Sequence, residues 1–392
     1  MILFLLTFIF VYGSIHLYLF LKVKAALALG PAITAALAFF LFLMVLAPIG
    51  VRLLDRHGLH MFSRVLAHIG YTWMGLLFFF FCLGLCLDIF NASMKLLAMF
   101  PGSPMGGLVW TGKQALWFLA VSALLLGLLS LINAWQIRLD RLSLQTTKLP
   151  ANVTRVAIVH ISDLHLGMLV GERRLRRIMG VVRRANPDVL VCTGDLVDAQ
   201  MDHLSHLADM LAELQPPLGK FAVTGNHEYY AGIRQSTIFL QKAGFTLLRN
   251  QSFRLDDLLT IVGIDDPVGR ARDQSSGEAY EREVALLPAS NSPTYTILLK
   301  HRPAVEVNSL GRFDLQLSGH THRGQIYPFT LLAKFSYPRQ DGLYSLEGGS
   351  LLHVSRGAGT WGPPMRFLSS PHVTLIELNQ PAQSPSRSDS PT

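Results

Sequence analysis

Aspartate, asparagine and histidine residues recur in five short clusters between residues 163 and 322. In chain order, the clusters are Asp163-Leu164-His165, Gly194-Asp195, Gly225-Asn226-His227-Glu228, the single residue His301, and Gly319-His320-Thr321-His322. Carboxylate, amide and imidazole groups form a mixed oxygen and nitrogen donor set that suits divalent transition metals. The glycines allow the backbone to approach such a site closely. The clusters therefore predict a metal centre, provided that the fold brings them together.

Each cluster follows a segment whose composition predicts a β-strand. These strands are predicted at 155–160, 188–193, 221–224, 294–299 and 314–317, and further strands at 259–264, 351–355 and 373–378. Helices are predicted at 172–185, 201–214 and 234–243. The early alternation of strand and helix implies right-handed βαβ units, whose strands deliver ligands at their carboxyl ends. The later excess of strands suggests a second sheet packed on the first.

Each cluster alone gives weak support for a metal site. An Asp-x-His triplet occurs by chance in many chains, and a Gly-Asp pair after a strand is often only a turn. A lone histidine such as His301 is more often an ordinary core or surface residue. All five clusters in order, each at the end of a predicted strand, are much harder to explain without a shared site.

The five clusters resemble the signature of the calcineurin-like metallophosphoesterase superfamily, which reads D-x-H, G-D, G-N-H-[D/E], H and G-H-x-H. Every motif is present in order from Asp163 to His322. With its hydrophobic N-terminus, the chain is most similar to the branch called transmembrane proteins with a metallophosphoesterase domain. The resemblance implies a four-layer α/β/β/α sandwich over residues 152–379 and two divalent metal ions, which could be manganese, iron, zinc or nickel.

The resemblance also implies a role for each motif residue. One metal ion would be held by Asp163, His165 and His322. The other would be held by Asn226, His301 and His320, with Asp195 bridging the two ions. Two such cations clamp a phosphate oxygen and activate a water molecule, so no protein nucleophile is needed. His227 would stabilise the transition state or protonate the leaving group. Glu228 would either orient a neighbouring group or be a salt-bridged acid at a helix start.

Residues 1–137 form a different kind of sequence, with long apolar runs. Four stretches without Asp, Glu, Lys or Arg, at 1–21, 25–51, 65–87 and 114–137, are long enough to cross a bilayer as helices. The first stretch lacks a basic start and an obvious cleavage site, so we expect a retained helix. Residues 91–111 are predicted to form a loop or an interfacial segment, and residues 138–151 are predicted to form a linker. The Pro/Ser-rich residues 380–392 are predicted to be a disordered tail. The fold class is therefore a transmembrane helical bundle followed by an α/β domain.

The formal net charge of +8 could suggest a nucleic-acid partner. However, residues 1–137 hold seven Lys or Arg and only two Asp or Glu, whereas the rest of the chain is nearly balanced. We therefore expect a lipid bilayer rather than nucleic acid as the partner of these charges. The six arginines between residues 172 and 184 fit either a solvated helix face or a phosphate-binding surface. Three cysteines provide neither a disulfide framework nor a thiolate zinc site.

Four spans place both termini on one side of the membrane. That side would hold six bases, at the 52–64 loop and at Arg138, Arg141 and Lys148, against four on the other side. The positive-inside rule thus favours a cytoplasmic catalytic domain, by a small margin.

These features together predict a membrane-anchored phosphoesterase with a dinuclear metal site. A site beside a bilayer experiences a high concentration of lipids, so the expected substrate is lipid-linked, such as a UDP-diacylglucosamine-like pyrophosphate or a phospholipid. The family's UDP-diacylglucosamine hydrolase has arginine where this chain has His227, so the specific substrate stays open. Two alternatives also stay open: a membrane-attached phosphoprotein phosphatase or phosphomonoesterase, and a non-catalytic receptor that retains the fold. The second alternative usually involves the loss of a metal ligand, and no motif residue is missing here.

Overall fold

A computed structural model describes residues 2–101, 103–198, 201, 204–269 and 283–381 of the chain. The chain divides into a helical unit and a second unit, which we call the phosphoesterase unit after the family that its motifs resemble. The helical unit comprises Met1–Trp135 with the short segments Ile326–Pro328 and Thr360–Leu368. The phosphoesterase unit comprises Gln136–Gln325, Phe329–Gly359 and Ser369–Thr392. Most of the predicted disordered tail, from residue 382 onward, lies outside the described residues.

The helical unit contains the four predicted membrane helices. They are α1 (Ile2–Leu27), α2 (Pro31–Arg56), α3 (His60–Leu97) and α4 (Gly112–Trp135). All four are long and apolar enough to cross a membrane. Large apolar side chains such as Phe10, Phe39 and Trp117 are exposed on them, as expected of helices whose solvent is lipid. The prediction of four apolar helices is confirmed.

Parts of the segment 91–111, predicted as a loop or an interfacial segment, are helical. Helix α3 continues to Leu97, because neither glycine nor proline occurs between Asn91 and Phe100 to stop it. A short 3₁₀ helix, Pro104–Leu108, follows. Asn91 then fixes the approach to α4, since its Nδ2 donates to the Trp110 carbonyl oxygen at 2.7 Å and its Oδ1 accepts from the Trp110 amide at 2.9 Å.

Two short segments from the C-terminal half of the sequence pack among these helices. Met365 is fully buried there, and a Cβ atom on Gly75 of α3 would lie only 2.4 Å from the Met365 sulfur. Phe367 meets Phe79 of α3 edge to face, with ring centroids 5.4 Å apart. Ile326 belongs to the same buried cluster. Close packing at the small glycine therefore anchors both segments in the helical unit.

The phosphoesterase unit contains two six-stranded sheets. The first has the order β1 (Arg138–Gln145), β12 (His372–Asn379), β2 (Arg155–Ile161), β3 (Val189–Cys192), β4 (Lys220–Ala222) and β5 (Thr246–Leu247). The second has the order β10 (Gly342–Ser345), β11 (Leu351–Val354), β9 (Leu315–Ser318), β8 (Tyr295–Lys300), β7 (Leu259–Ile264) and β6 (Gln251–Leu255). The strands β2 to β5 pair in parallel, and so do β7, β8, β9 and β11.

Strand β1 lies where the sequence predicts a linker. All eight of its residues pair in parallel with β12, from Arg138 opposite His372 to Gln145 opposite Asn379. Most side chains of this edge strand are exposed or half-buried, and only Leu144 is buried. The charged residues of an edge strand hide its β-character from a composition-based prediction. Residues 138–145 therefore belong to the first sheet.

Helices cover the first sheet on its outer side. They are α5 (Glu172–Ala185), α6 (Ser205–Ala212), α7 (Asn226–Ala231) and α8 (Ile233–Lys242), and a further helix, α9 (Phe329–Ser336), precedes β10. Helix α5 has the predicted bounds, and α6 and α8 lie within or close to theirs. Helices α7 and α9 were not predicted from the sequence, because six and eight residues are too few for a clear periodicity.

Alternation along the strands builds the core in layers. In β2, Ala157 and Val159 face the cluster shared with α5, whereas Val156 and Ile158 face the second sheet. The outer side of the second sheet is covered by residues around Leu287 and by the helical residues 283–286. The order of layers is therefore helices, first sheet, second sheet and a further helical cover. This order confirms the predicted α/β sandwich.

Candidate active site

All five predicted clusters lie just beyond the carboxyl ends of strands. The clusters at Asp163, Asp195 and Asn226 follow β2, β3 and β4, and those at His301 and His320 follow β8 and β9. Because parallel strands end at a common edge, the two sheets bring these loops together. The convergence that the sequence predicts is therefore present.

The first group of side chains comprises Asp163, His165 and His322. Their donor atoms all lie within 4.8 Å of one another, and all three residues are buried. The Nε2 atoms of His165 and His322 are 3.0 Å apart, and His322 Nε2 is 3.5 Å from Asp163 Oδ1. These are the residues that the family resemblance assigns to one metal ion.

The second group comprises Asp195, His301 and His320, whose donor atoms also lie within 4.8 Å of one another. His301 Nε2 is 3.2 Å from Asp195 Oδ2 and 3.0 Å from His320 Nδ1. The other ring nitrogen of His301, Nδ1, donates to the Thr193 carbonyl oxygen at 2.8 Å. Since a carbonyl can only accept, Nδ1 carries hydrogen, and Nε2 is the ring nitrogen directed at the group.

Asp195 lies between the two groups. Its Oδ2 atom is 3.2 Å from His301 Nε2 and 3.9 Å from His165 Nε2, one residue from each group. A carboxylate has two oxygens and can contact two cations at once. This position fits the bridging role that the resemblance implies.

Asn226, the first residue of α7, supports a metal at this site independently. Its Oδ1 atom is buried and has no hydrogen-bond partner among the residues that the structure describes. Leaving a buried amide oxygen unpaired costs about 1–3 kcal/mol, so such an atom usually has a ligand. An amide oxygen, two carboxylates and four imidazoles fit two divalent cations.

The backbone is strained at the same residues. Positive φ angles occur at Asp163 (52°), His165 (50°), Asp195 (50°), His320 (71°) and His322 (46°), five of the seven predicted ligands. Residues other than glycine rarely adopt this backbone conformation, and each instance costs on the order of 1–3 kcal/mol. Such strain is typical of functional sites, where the surrounding fold holds side chains in one arrangement.

The electrostatics of the site attract positive charge. Burial would raise the pKa of Asp195, but His301 and His227 hold it well below its usual range. Burial opposes the charged form of His301, yet Asp195 raises the pKa of that imidazole to about 10. Burial raises the pKa of Asp163 to about 6. Buried carboxylates that stabilise protonated neighbours will also stabilise a bound metal cation.

His227 is oriented by two aspartates. Its backbone amide donates to Asp195 Oδ1 at 2.9 Å, and its Nδ1 donates to Asp198 Oδ1 at 2.9 Å. Burial opposes the charged form, but Asp195 and Asp198 raise the pKa of His227 to about 9. The raised pKa favours the charged imidazole, which carries a proton on each ring nitrogen and can act as a proton donor. Asp198 was missed in the sequence, although it lies only three residues beyond Asp195.

Glu228 acts on the backbone of the site. Its carboxylate accepts hydrogen bonds from the amides of Gly225 (2.6 Å), Asp195 (2.9 Å) and Leu196 (2.8 Å). Burial raises the pKa of this carboxyl to about 7. Of the two interpretations of Glu228, the orienting one fits, because it ties the Asp195 loop to the start of α7.

Two glycines leave room for the site carboxylates. A Cβ atom on Gly225 would lie 2.2 Å from Asp195 Oδ1, and one on Gly319 would lie 2.2 Å from Asp163 Oδ2. Neither distance is compatible with van der Waals contact. The glycines of the G-N-H and G-H-x-H motifs are therefore required by the carboxylates beside them.

Three arginines of helix α5 have partners within the protein. Arg174 is buried and donates to the Ala358 carbonyl oxygen at 2.9 Å. Arg176 pairs with Glu172 at 2.6 Å, and Arg183 pairs with Glu213, the residue after α6, at 2.6 Å. These ion pairs favour the interpretation of α5 as a solvated helix face.

Comparison with known proteins identifies the family to which the chain belongs. A family model described as "Calcineurin-like phosphoesterase" matches residues 156–324. An "Uncharacterized metallophosphoesterase" of Aquifex aeolicus is 42% identical over 65% of this chain and 97% of its own length. Proteins named "Transmembrane protein with metallophosphoesterase domain" are 34% identical in Danio rerio, over 78% of this chain and 71% of theirs, and 32% identical in Bos taurus, over 79% and 73%. The chain belongs to the calcineurin-like phosphoesterase family. It is a metal-dependent phosphoesterase that carries membrane helices.

Proposed function

We propose that the protein hydrolyses a phosphodiester or pyrophosphate bond in a lipid-linked substrate. The observation that carries the proposal is the combination, in one chain, of four helices able to span a membrane, two groups of Asp and His donors, and the buried, unpaired amide oxygen of Asn226. A site tethered to a bilayer experiences a high effective concentration of lipid phosphoesters. A phospholipid or a lipid-linked nucleotide pyrophosphate of the UDP-diacylglucosamine type has this chemistry.

The residues proposed to hold the two metal ions are Asp163, His165 and His322 for one, and Asn226, His301 and His320 for the other, with Asp195 between them. Two bound cations would neutralise phosphate oxygens and lower the pKa of a water molecule.

His227 supplies the chain's own proton to this chemistry. Asp198 orients the imidazole through Nδ1, which leaves Nε2 facing away from that carboxylate. A proton held on Nε2 can be donated to the leaving oxygen. Asp195 accepts from the His227 backbone amide and also contacts His301 Nε2, which fixes the His227 backbone relative to the second group of donors.

We also propose that the phosphoesterase unit lies on the cytoplasmic side. Support comes from the bases at the α2–α3 turn and after α4, which outnumber those at the opposite helix ends by six to four. A cysteine at position 57, in a chain whose Cys82 and Cys86 are replaced by alanine, tests this. Labelling by an impermeant maleimide should require cell lysis, and labelling in intact cells would reverse the orientation.

The substrate proposal is tested with the purified full-length chain loaded with manganese. The panel comprises bis(p-nitrophenyl) phosphate, p-nitrophenyl phosphate, a phosphopeptide, and vesicles containing a phospholipid or a lipid pyrophosphate. We expect hydrolysis of the lipid-linked diester or pyrophosphate to exceed that of the monoesters. Asp195→Asn removes the proposed bridging carboxylate, and His227→Ala removes the proposed proton donor. Both variants serve as inactive controls.

Each other outcome supports a named alternative. Preferential hydrolysis of the phosphopeptide or the monoester indicates a membrane-attached phosphatase. No hydrolysis by any preparation, with both variants indistinguishable from the unaltered chain, indicates a non-catalytic receptor. Lipid extracts of cells that carry Asp195→Asn should accumulate the natural substrate and so name its class.

A further inference from the structure

Helix α9 presents an apolar face that no described residue of the phosphoesterase unit covers. Nine large hydrophobic side chains are exposed among the described residues of this unit, and four of them lie in α9: Phe329, Leu331, Leu332 and Phe335. No residue of the helix is buried. Leu331 and Leu332 are 52% and 60% exposed, and Phe335 is 87% exposed. Their spacing places these three side chains on one side of the helix.

The opposite side of α9 is held by hydrogen bonds. Thr330 Oγ1 donates to the Arg323 carbonyl oxygen at 2.9 Å, and Gln340 Nε2 donates to the Thr330 carbonyl oxygen at 3.0 Å. Just beyond the helix, the Tyr337 amide donates to the Ala333 carbonyl oxygen at 2.9 Å. Thr330, Ala333 and Tyr337 follow one another at helical spacing. The two hydrogen bonds of Thr330 thus hold the helix on one side, and its apolar side is exposed.

The chain leads into α9 directly from the helical unit. Ile326–Pro328 belong to that unit, where Ile326 is buried with Phe79 and Phe80 of the membrane helix α3. Phe329, the first residue of α9, follows Pro328 with no linker. A short helix that directly follows a segment packed among apolar, membrane-length helices can reach a bilayer surface.

The charges near α9 match a membrane surface. Lys334 in the helix and Arg339 after it are both exposed. Basic residues beside an exposed Leu and Phe face are typical of helices that lie in the membrane interface, where they meet anionic headgroups. We propose that α9 lies in the interface of the bilayer that the four helices span, with Leu331, Leu332 and Phe335 inserted among the lipids.

Tyr337 connects this helix to the candidate active site. Its Oη atom is 2.9 Å from Nε2 of His320, whose Nδ1 faces His301. Tyr337 is therefore a positioning residue for a predicted metal ligand. Resting on the proposed function, the inference extends to substrate: α9 delivers a phosphoester from the bilayer to the site beside it.

The interface contact is tested without any activity measurement. In the full-length chain, Cys82 and Cys86 are replaced by alanine, while Cys192 stays because it is buried. A nitrobenzoxadiazole label is attached at Phe335→Cys or, as the matched control, at Ser252→Cys. Ser252 is exposed on β6, at the opposite edge of the second sheet from β10. The proteins are reconstituted in vesicles of phosphatidylcholine and phosphatidylglycerol.

We expect the label at position 335 to emit at shorter wavelength and to be quenched several-fold more strongly by spin-labelled lipids than the label at 252. Equal quenching at the two positions overturns the proposal. A shift to shorter wavelength at 335 that occurs without vesicles, on addition of unlabelled chain or another protein, also overturns it.

The delivery role is tested with the double variant Leu332→Ser, Phe335→Ser. Because each side chain loses its burial in lipid, hydrolysis of a vesicle-bound phosphoester should fall at least about tenfold, whereas hydrolysis of soluble bis(p-nitrophenyl) phosphate should not change. Ile238→Ser, at a 57% exposed position on α8, is the control and should affect neither substrate. An equal loss on both substrates would contradict a delivery role. If no preparation hydrolyses any ester, the proposed function fails, while the quenching result still decides whether α9 lies in the membrane.

Discussion

Replacing Gly225 by alanine tests the packing on which the proposed metal site depends. The added Cβ atom would lie 2.2 Å from Asp195 Oδ1 and 2.6 Å from the Asp195 amide nitrogen. The φ angle at Gly225 is −101°, so alanine meets no conformational penalty there, and the collision is the whole effect. Relief of the contact requires Asp195 or the start of α7 to move by about 1 Å. A displacement of that size near reacting groups can cost about 100-fold in rate.

We therefore expect Gly225→Ala to lose about 100-fold in manganese-dependent hydrolysis of bis(p-nitrophenyl) phosphate, and to bind less metal per chain. Overpacking should also lower the free energy of unfolding by about 1–3 kcal/mol. The matched control is Gly180→Ala in α5, where the new Cβ would meet only the far end of the Arg184 side chain, at 3.5 Å. Alanine is the better helix former, so this control should be neutral or more stable by up to about 1 kcal/mol.

Hydrolysis rate, metal content by mass spectrometry and thermal unfolding are measured on the same three preparations. A folded Gly225→Ala protein with unchanged activity and metal content would refute the reasoning, because Asp195 would then tolerate displacement. An equal loss in Gly180→Ala would show that the assay responds to any added methyl group.

Three further predictions concern single side chains. In Glu228→Gln, the NH₂ group of glutamine would face backbone amides that now donate to the carboxylate, and two donors cannot pair. Chemical unfolding should therefore show a free energy of unfolding lower by about 1–3 kcal/mol. An unchanged stability would contradict the orienting role. His227→Asn should lower kcat much more than metal content, and a parallel loss of bound metal would identify His227 as a ligand instead. Burial and the neighbouring His372 lower the pKa of His353 to about 3. Below pH 6.5 the unfolded chain therefore takes up a proton that the folded chain excludes, and stability falls with acidification by up to about 1.4 kcal/mol per pH unit. Unfolding measured between pH 7.5 and 5 should show a smaller slope for His353→Gln than for the unaltered chain.

Most of the site could be predicted from the sequence because its residues belong to short motifs at strand ends. Strand composition and motif order are both local, and the two together indicate convergence. The structure brings the two groups around Asp163 and Asp195 together, and their roles as metal ligands stay predictions. The four apolar helices could be predicted for a similar reason, since length and hydropathy alone determine whether a helix can span a bilayer.

The features that were missed depend on contacts between distant parts of the chain. Strand β1 has charged side chains and is defined by its pairing with β12, more than two hundred residues later. Tyr337 belongs to no motif, and only the fold places it against His320. Helix α9 is short, and its apolar residues are exposed rather than periodic toward a core. Asp198 is closer to a motif, but an isolated aspartate after a strand is common in turns.

The central claim is that these clusters form a dinuclear metal site that performs phosphoester hydrolysis. Its most direct test is a manganese titration of the chelator-treated full-length chain, with bound metal per chain and hydrolysis of bis(p-nitrophenyl) phosphate measured at each step. The account predicts two ions per chain, hydrolysis that rises with their binding, and loss of both in Asp195→Asn. Hydrolysis that persists in the metal-free protein, or a chain that binds at most one ion while fully active, would contradict it.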